Sequence, residues 1–242
     1  MASALPGFTR TAIDCVLKAG GSLTRNLDET ARLIGALAGL AAEGHRLLVV
    51  PGGGRPDKAI ETIDRERPLA PDTAHRACAL AQDQTGLVLA DPAIAPGTRA
   101  CATIGECLGT LAERRLPILL PSGLIFALEP VERSWDVTSD AVGAWVAWLL
   151  EADRYAVLTD VDGVYAAGRI GEPEHLLPDI EATALAAMGH TSVDACAAAF
   201  IAARGIEAAV LNGRFPDRVV DYLQRRPCRG TLIRPARPGP AP

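Results

Sequence analysis

An α/β fold, with a parallel sheet covered by helices on both faces, is what this sequence predicts, on three observations. Strand-like apolar runs alternate with helix-like amphipathic segments from one end of the chain to the other. Hydrophobic residues make up 49% of the 242 positions but aromatics only 4%, so the core is filled by aliphatic side chains, unlike that of a β-sandwich. The glycine-rich stretches stand immediately after predicted strands, where ligands gather in open parallel sheets.

Residues 12–19 read as a buried strand. Asn26 or Asp28 can cap the helix that follows, whose apolar face is Leu33, Leu37, Leu40 and Ala41, and Gly44 ends it. Residues 45–50 form the second strand, stopping at Pro51 and three glycines, so the first two strands and their helix make one right-handed βαβ unit. Helices are expected over 57–66 and 72–86, separated by a turn with Pro68 and Pro71, and over 104–115, leading into the apolar run 116–128. Residues 134–152 start with polar caps and continue as an apolar helix, and 155–159 are a strand ending in the loop 160–165. A helix over 193–205, a strand over 207–212, a short helix over 216–226 and a closing strand over 230–233 complete the order. The proline-rich tail 235–242 is expected to be disordered, and residues 1–234 are expected to form one domain.

Composition excludes several classes. A formal net charge of −5 opposes a nucleic-acid footprint, which needs a basic face. No apolar run reaches the ~18 residues of a membrane span and no signal-like start is present, so a cytoplasmic protein is expected. The six cysteines stand singly, without metal-ligand spacing, and read as buried reduced thiols.

Lysine occurs only at Lys18 and Lys58, which makes each position informative. Lys18 ends a strand beside Gly20, Gly21 and Ser22, where a mobile point charge and unobstructed N–H groups suit phosphoryl oxygens; a tight turn with a solvated lysine fits the same residues equally well. Gly52, Gly53 and Gly54 precede a helix and can present N–H groups to an anion, or simply turn the chain. Asp136, Thr138, Ser139 and Asp140 crowd one helix start with more polar groups than a single cap requires. Trp145 and Trp148 read as core, and the arginine-rich stretch 225–237 as solvated surface. The loop with Asp160, Asp162 and Gly163 is either a solvated turn or a nucleotide loop with a weak Mg²⁺ contribution. His75 and His190 read as structural. None of the glycine spacings is that of a P-loop or a dinucleotide fold.

Taken in order, KAGGS (18–22), VVPGGG (49–54), VTSDAVGAW (137–145), LTDVDGVY (158–165) and the final GTLI (230–233) resemble the amino acid kinase superfamily. Within it, residues 71–90 and 134–150 are most similar to the aminomethylfuranmethanol phosphate kinase group of methanofuran biosynthesis. The resemblance implies a three-layer αβα sandwich around a mainly parallel sheet, with the acceptor held by residues 1–130 and the nucleotide by about 131–234. It implies an ATP- and Mg²⁺-dependent kinase, usually a homo-oligomer, acting on a small phosphorylated acceptor. By position, Lys18 contacts the exchanged phosphates and Asp140 orients it. Gly20, Gly21, Ser22, Gly52, Gly53, Gly54, Thr138 and Ser139 line the acceptor and transfer path. Thr159, Asp160, Asp162, Gly163 and Tyr165 line the nucleotide pocket.

The sequence departs from that pattern in one respect. Many members carry a second catalytic lysine near the start of the helix that here begins HTSVDACAAAF, yet no lysine follows Lys58; Arg169 or Arg214 would have to supply the charge. A nucleotide- or oxyanion-binding storage protein of the same fold, and a uridylate-type kinase, are therefore the competing expectations.

Overall fold

The computed structural model describes residues 12–235, so the expected tail lies outside the described residues apart from Pro235. Eight strands form one sheet in the order β3-β4-β2-β1-β5-β7-β8-β6. The first four are β1 (Cys15–Ala19), β2 (Leu47–Pro51), β3 (Thr98–Cys101) and β4 (Leu116–Leu119); the rest are β5 (Tyr155–Thr159), β6 (Asp179–Glu181), β7 (Ala208–Asn212) and β8 (Thr231–Arg234). Neighbours run parallel except β7 and β8, which are antiparallel. The sheet is therefore mainly, not wholly, parallel, and strands from the first half of the chain occupy one side while those from the second half occupy the other.

Two apolar cores lie on opposite faces, as expected of an αβα sandwich. Alternation along β1 sends Cys15, Leu17 and Ala19 into one core with α1 (Leu27–Glu43), and Val16 into the other with α6 (Ser139–Leu149). Lys18 shares the face of Val16, so its side chain emerges under α6. Asn26 caps α1, accepting the amides of Asp28 and Glu29, and Gly44 ends it in the left-handed region at φ 108°. The remaining helices are α2 (Gly54–Glu66), α3 (Pro71–Leu89), α4 (Ile104–Ala112), α5 (Ser122–Leu128), α7 (Ala182–Ala187), α8 (Ala195–Arg204) and α9 (Pro216–Leu223). Among the described residues no helix is long and apolar enough to cross a membrane.

Several expectations need correction. The run 116–128 is not one element: it divides at Pro121 into β4 and α5. The first strand starts three residues later than expected. Trp148 is 41% exposed, stacked edge-on against Phe200 with Arg204 over its ring; only Trp145 is core. The thiols are not uniformly buried, since Cys196 is exposed and Cys78 and Cys228 are half-buried.

Gly143 fixes the distance between α6 and the sheet. A Cβ there would stand 2.8 Å from the Tyr155 hydroxyl and 3.1 Å from Lys18 Cβ, both held in the sheet. Gly143→Ala is expected to lower stability by about 1–3 kcal/mol through overpacking, read as a fall in the urea midpoint with unchanged slope.

Candidate active site

Three of the sequence motifs meet at the carboxyl ends of β1 and β2. Gly20 donates its N–H to Leu158 O at 2.8 Å, and Gly52 donates to Ala19 O at 2.8 Å, so both loops leave their strands still tied to neighbouring ones. A Cβ on Gly21 would stand 2.6 Å from Gly54 N. One on Gly52 would stand 2.8 Å from Gly21 N and 3.2 Å from Ser139 Oγ. The KAGGS and PGGG loops are thus packed backbone to backbone, closer than a side chain allows, with the Ser139 hydroxyl at the start of α6 against Gly52. Gly54 adopts φ +64°, with Thr85 Oγ1 donating to Gly53 O at 2.9 Å and locking the turn. Ser22 lies in the short 3₁₀ turn Gly21–Arg25, which Thr24 closes by donating to Gly21 O at 2.8 Å.

Lys18 projects into this junction, and its Nζ lies 2.6 Å from Asp140 Oδ1; both residues are more than nine-tenths buried. Asp140 owes its position to the helix start. Thr138 is the N-cap, its Oγ1 accepting Asp140 N at 3.2 Å, and Tyr155 donates its hydroxyl to Asp140 O at 2.9 Å. Burial pushes the Tyr155 phenol well above its usual range, which keeps it a donor.

Asp194, which the sequence reading passed over, completes the arrangement. It caps α8, where its Oδ1 accepts Ala197 N at 2.5 Å, while its Oδ2 accepts the hydroxyl of Thr138 at 2.6 Å. Its own N–H donates to Asp140 Oδ2 at 3.4 Å. Burial, reinforced by the neighbouring Asp140 charge, raises its carboxyl above the usual range against the opposing hydrogen bonds. The start of this helix is where a second lysine was looked for, and a carboxylate stands there instead. The signal available was an acid immediately ahead of an alanine-rich helix, which reads equally as an ordinary cap.

The second-half motif follows β5. Thr159 accepts Gly213 N at 2.9 Å, and Asp160 Oδ2 lies 3.6 Å from Arg214 and 3.9 Å from Arg25. Asp162 is not the solvated carboxylate of an ordinary turn. Its Oδ1 accepts Asn212 and Arg218, each at 2.8 Å, and its Oδ2 accepts Arg229 at 2.7 Å. Arg229 is exposed, as expected of the arginine-rich stretch, and reaches this loop from the surface. Although burial alone would raise it, the hydrogen bonds of Asn212 and Arg218 and the charges of Arg218 and Arg229 hold the Asp162 carboxyl below its usual range. Gly163 has no room for a Cβ against Thr231, whose hydroxyl accepts Val164 N at 2.8 Å. Tyr165 is buried and bridges to Leu176. Of the two arginines considered as replacement cations, Arg214 flanks Asp160, whereas Arg169 pairs with Glu172 at 3.2 Å.

Beside the glycine junction opens a cavity of about 550 Å³, lined by Gly53, Thr138 and Ser139 and by residues of α2, α3, α5 and the segment 131–137. Its lining mixes apolar groups such as Leu69, Val131 and Trp135 with carboxylates of α2 and with His75 and Gln82 of α3. A volume of this size suits a small organic molecule.

A model of the amino acid kinase family matches residues 15–212, from β1 to β7. The chain belongs to the amino acid kinase family. It is 30% identical over 210 residues to the [5-(aminomethyl)furan-3-yl]methyl phosphate kinase of Methanocaldococcus jannaschii, covering 86% of this chain and 92% of that one. It is also 30% identical over 212 residues to the uridylate kinase of Natronomonas pharaonis, covering 83% and 88%. Among solved structures, uridylate kinase from Archaeoglobus fulgidus superposes with a TM-score of 0.72 at 20% identity, covering 91% of this chain and all of that one. The UMP kinase of Bacillus anthracis gives 0.71 at 17%, covering 93% and 98%. For this amino acid kinase family chain the two structural likenesses establish the shared αβα fold.

The Asp162 clamp generates a test. Asp162→Asn is expected to cost about 1.5–3 kcal/mol at neutral pH, the scale of hydrogen bonds to a charged group. Because the native carboxyl is lowered, the wild-type advantage is complete above about pH 4 and drains away as the pH falls through the native value. Urea unfolding of both proteins between pH 7 and pH 3 measures the convergence.

Proposed function

We propose that this chain is an ATP-dependent kinase that phosphorylates an existing phosphate monoester, with an aminomethylfuran methyl phosphate as acceptor and its diphosphate as product. The observation that carries the proposal is the buried Lys18–Asp140 pair at the junction of three close-packed loops. A buried ammonium with one carboxylate partner retains two donor hydrogens for further oxygens. The furan acceptor is supported by the 30% identity to the Methanocaldococcus jannaschii enzyme over 86% of this chain. A uridylate-type acceptor is the second reading, supported by the Natronomonas pharaonis relative.

In this reading an oxygen of the acceptor phosphate attacks the γ-phosphorus of ATP, the bond to the β–γ bridging oxygen breaks, and ADP departs with that electron pair. The nucleophile is already anionic, so the protein needs no general base, and positioning and charge neutralisation dominate. Lys18 neutralises charge on the transferring group, with Asp140 as the positioning residue that fixes its ammonium. Thr138 and Asp194 fix Asp140 in turn. The free N–H groups of the glycine loops and of the α6 start face the acceptor phosphate, and Gly20, Gly21, Ser22, Gly52, Gly53, Gly54 and Ser139 line its path. Thr159, Asp160, Gly163 and Tyr165 border the nucleotide, with Asp162 as the clamp of their loop. Arg214 and Arg25 are the cations that take the role of a second lysine.

The chain's donors fit an Mg²⁺ carried on nucleotide phosphates better than a protein cage. Asp140 Oδ1 is committed to Lys18 and both Asp162 oxygens to protein donors, which leaves Asp160, itself flanked by arginines. When bound, Mg²⁺ supplies charge neutralisation at phosphate oxygens, as its preference for water and phosphate ligands allows.

Lys18→Ala is expected to reduce turnover at least about a hundredfold with the circular dichroism spectrum unchanged, the scale of one lost electrostatic stabiliser. Acceptor-dependent ADP release from ATP and Mg²⁺, with the furan phosphate and UMP in parallel, measures it. Undiminished turnover in the variant rejects Lys18, and no ADP release with any phosphorylated acceptor favours a storage role.

A further inference from the structure

The cavity beside the glycine loops has a wall that phosphoryl transfer does not use. Helix α2 buries no residue fully, although it packs along α3. Its cavity-lining side chains Asp57, Glu61 and Asp64 recur at i, i+4 and i+7, the spacing at which an inward helix face ordinarily carries apolar residues. Across the cavity, Gln82 is 7% exposed, and its buried Oε1 has no hydrogen-bond partner. Nε2 of His75, on the same lining, is likewise buried without a partner. The one guanidinium of the lining, Arg133, is engaged by Asp72 at 3.1 Å and Glu129 at 3.2 Å.

The carboxylates are unequally occupied. Asp64 accepts Leu69 N at 2.8 Å, and Glu61 lies 2.5 Å from Lys58. Burial raises the Asp57 carboxyl above the usual range, against the hydrogen bond of the Cys78 thiol and the charges of Lys58 and Lys18. An acceptor left unsatisfied in a buried place costs about 1–3 kcal/mol, so a cluster of acceptors around a cavity is best explained by a ligand that donates to them. Neutral uracil and ribose would bring no positive charge to a wall whose own cations, Lys58 and Arg65, lie on Glu61. A primary ammonium brings three donors and the opposite charge.

The stripe also has a direction. Asp57 packs on Gly53, at the phosphate end, and Asp64 lies seven residues further, about 10 Å along the helix. A molecule with its phosphate at the Lys18 junction and its ammonium several ångströms away would satisfy both ends. We infer that the acidic face of α2, led by Asp57 and answered across the cavity by Gln82, selects an acceptor that bears a primary ammonium as well as its phosphate. This assignment rests on the acceptor-phosphate reading above and deepens it by naming the groups that choose the substrate class.

The test uses the full chain and two acceptors of nearly equal shape, [5-(aminomethyl)furan-3-yl]methyl phosphate and its hydroxymethyl counterpart, with titration calorimetry run beside ADP release. Wild-type protein is expected to bind the ammonium compound at least about 30-fold more tightly. Asp57→Asn and Gln82→Leu should each cut that ratio at least about fivefold while leaving affinity for the hydroxymethyl compound unchanged. Glu61→Gln, at a half-buried position of α2, gives the same readout if a more buried variant does not fold. Equal wild-type affinities, binding of neither compound, or variants that weaken both alike would overturn the inference. The two readings separate cleanly: preferential binding without ADP release retains the selection and rejects phosphoryl transfer, whereas ADP release with equal kcat/KM for both compounds does the reverse.

Discussion

A lysine ammonium buried at the end of β1 is tolerable only with a carboxylate against it, and the structure is arranged around that requirement. Desolvating the two charges costs several kcal/mol each, so such a pair is a poor device for stability alone. Its place beside two backbone-packed glycine loops points to a ligand that uses the charge. Asp140 meets Lys18 at 2.6 Å because α6 starts at Thr138, because Tyr155 holds the first-turn carbonyl, and because Gly143 lets the helix settle onto the sheet. Removing any one of these supports shifts the carboxylate, not merely the local packing.

The two halves of the sheet contribute unlike materials to the site. The β1 and β2 ends offer glycine backbone, with no side chain to occlude an approaching phosphate, and the adjoining cavity offers acceptors. The β5 and β7 ends offer a loop made rigid by Asp162, which gathers Asn212, Arg218 and Arg229 from the last quarter of the chain. Asp160 keeps Arg25 and Arg214 close by. In the proposed reaction a cationic edge on the nucleotide side faces a glycine-lined path on the acceptor side, with Lys18 between them.

Much of this was legible in the sequence, for identifiable reasons. Strands β1, β2, β5 and β7 are continuous aliphatic runs because both their faces are buried, and the strand-end glycines mark where side chains would collide. Strand β3 was missed because its four residues include an exposed arginine and it lies at the sheet edge; β6 is a three-residue strand with two exposed acids. The sheet is mainly parallel as expected, and β8, which runs antiparallel to β7, is the exception. The Lys18–Asp140 partnership was expected only through family resemblance, since no local pattern joins residues so far apart. Asp194, Gln82, Gly143 and Arg229 carried no such signal: a cap, a helical amide, a helical glycine and a surface-like arginine acquire their roles only from what the fold sets against them.

In the proposed reaction the Lys18 ammonium is the meeting point of donor and acceptor phosphates. A crystal structure with a non-hydrolysable ATP analogue and a phosphorylated acceptor tests it most directly. The terminal phosphate is expected within hydrogen-bonding distance of Lys18 Nζ, with Asp140 still paired to it and the acceptor phosphate against the glycine loops. A nucleotide bound elsewhere, or phosphates that leave Lys18 untouched, would contradict it.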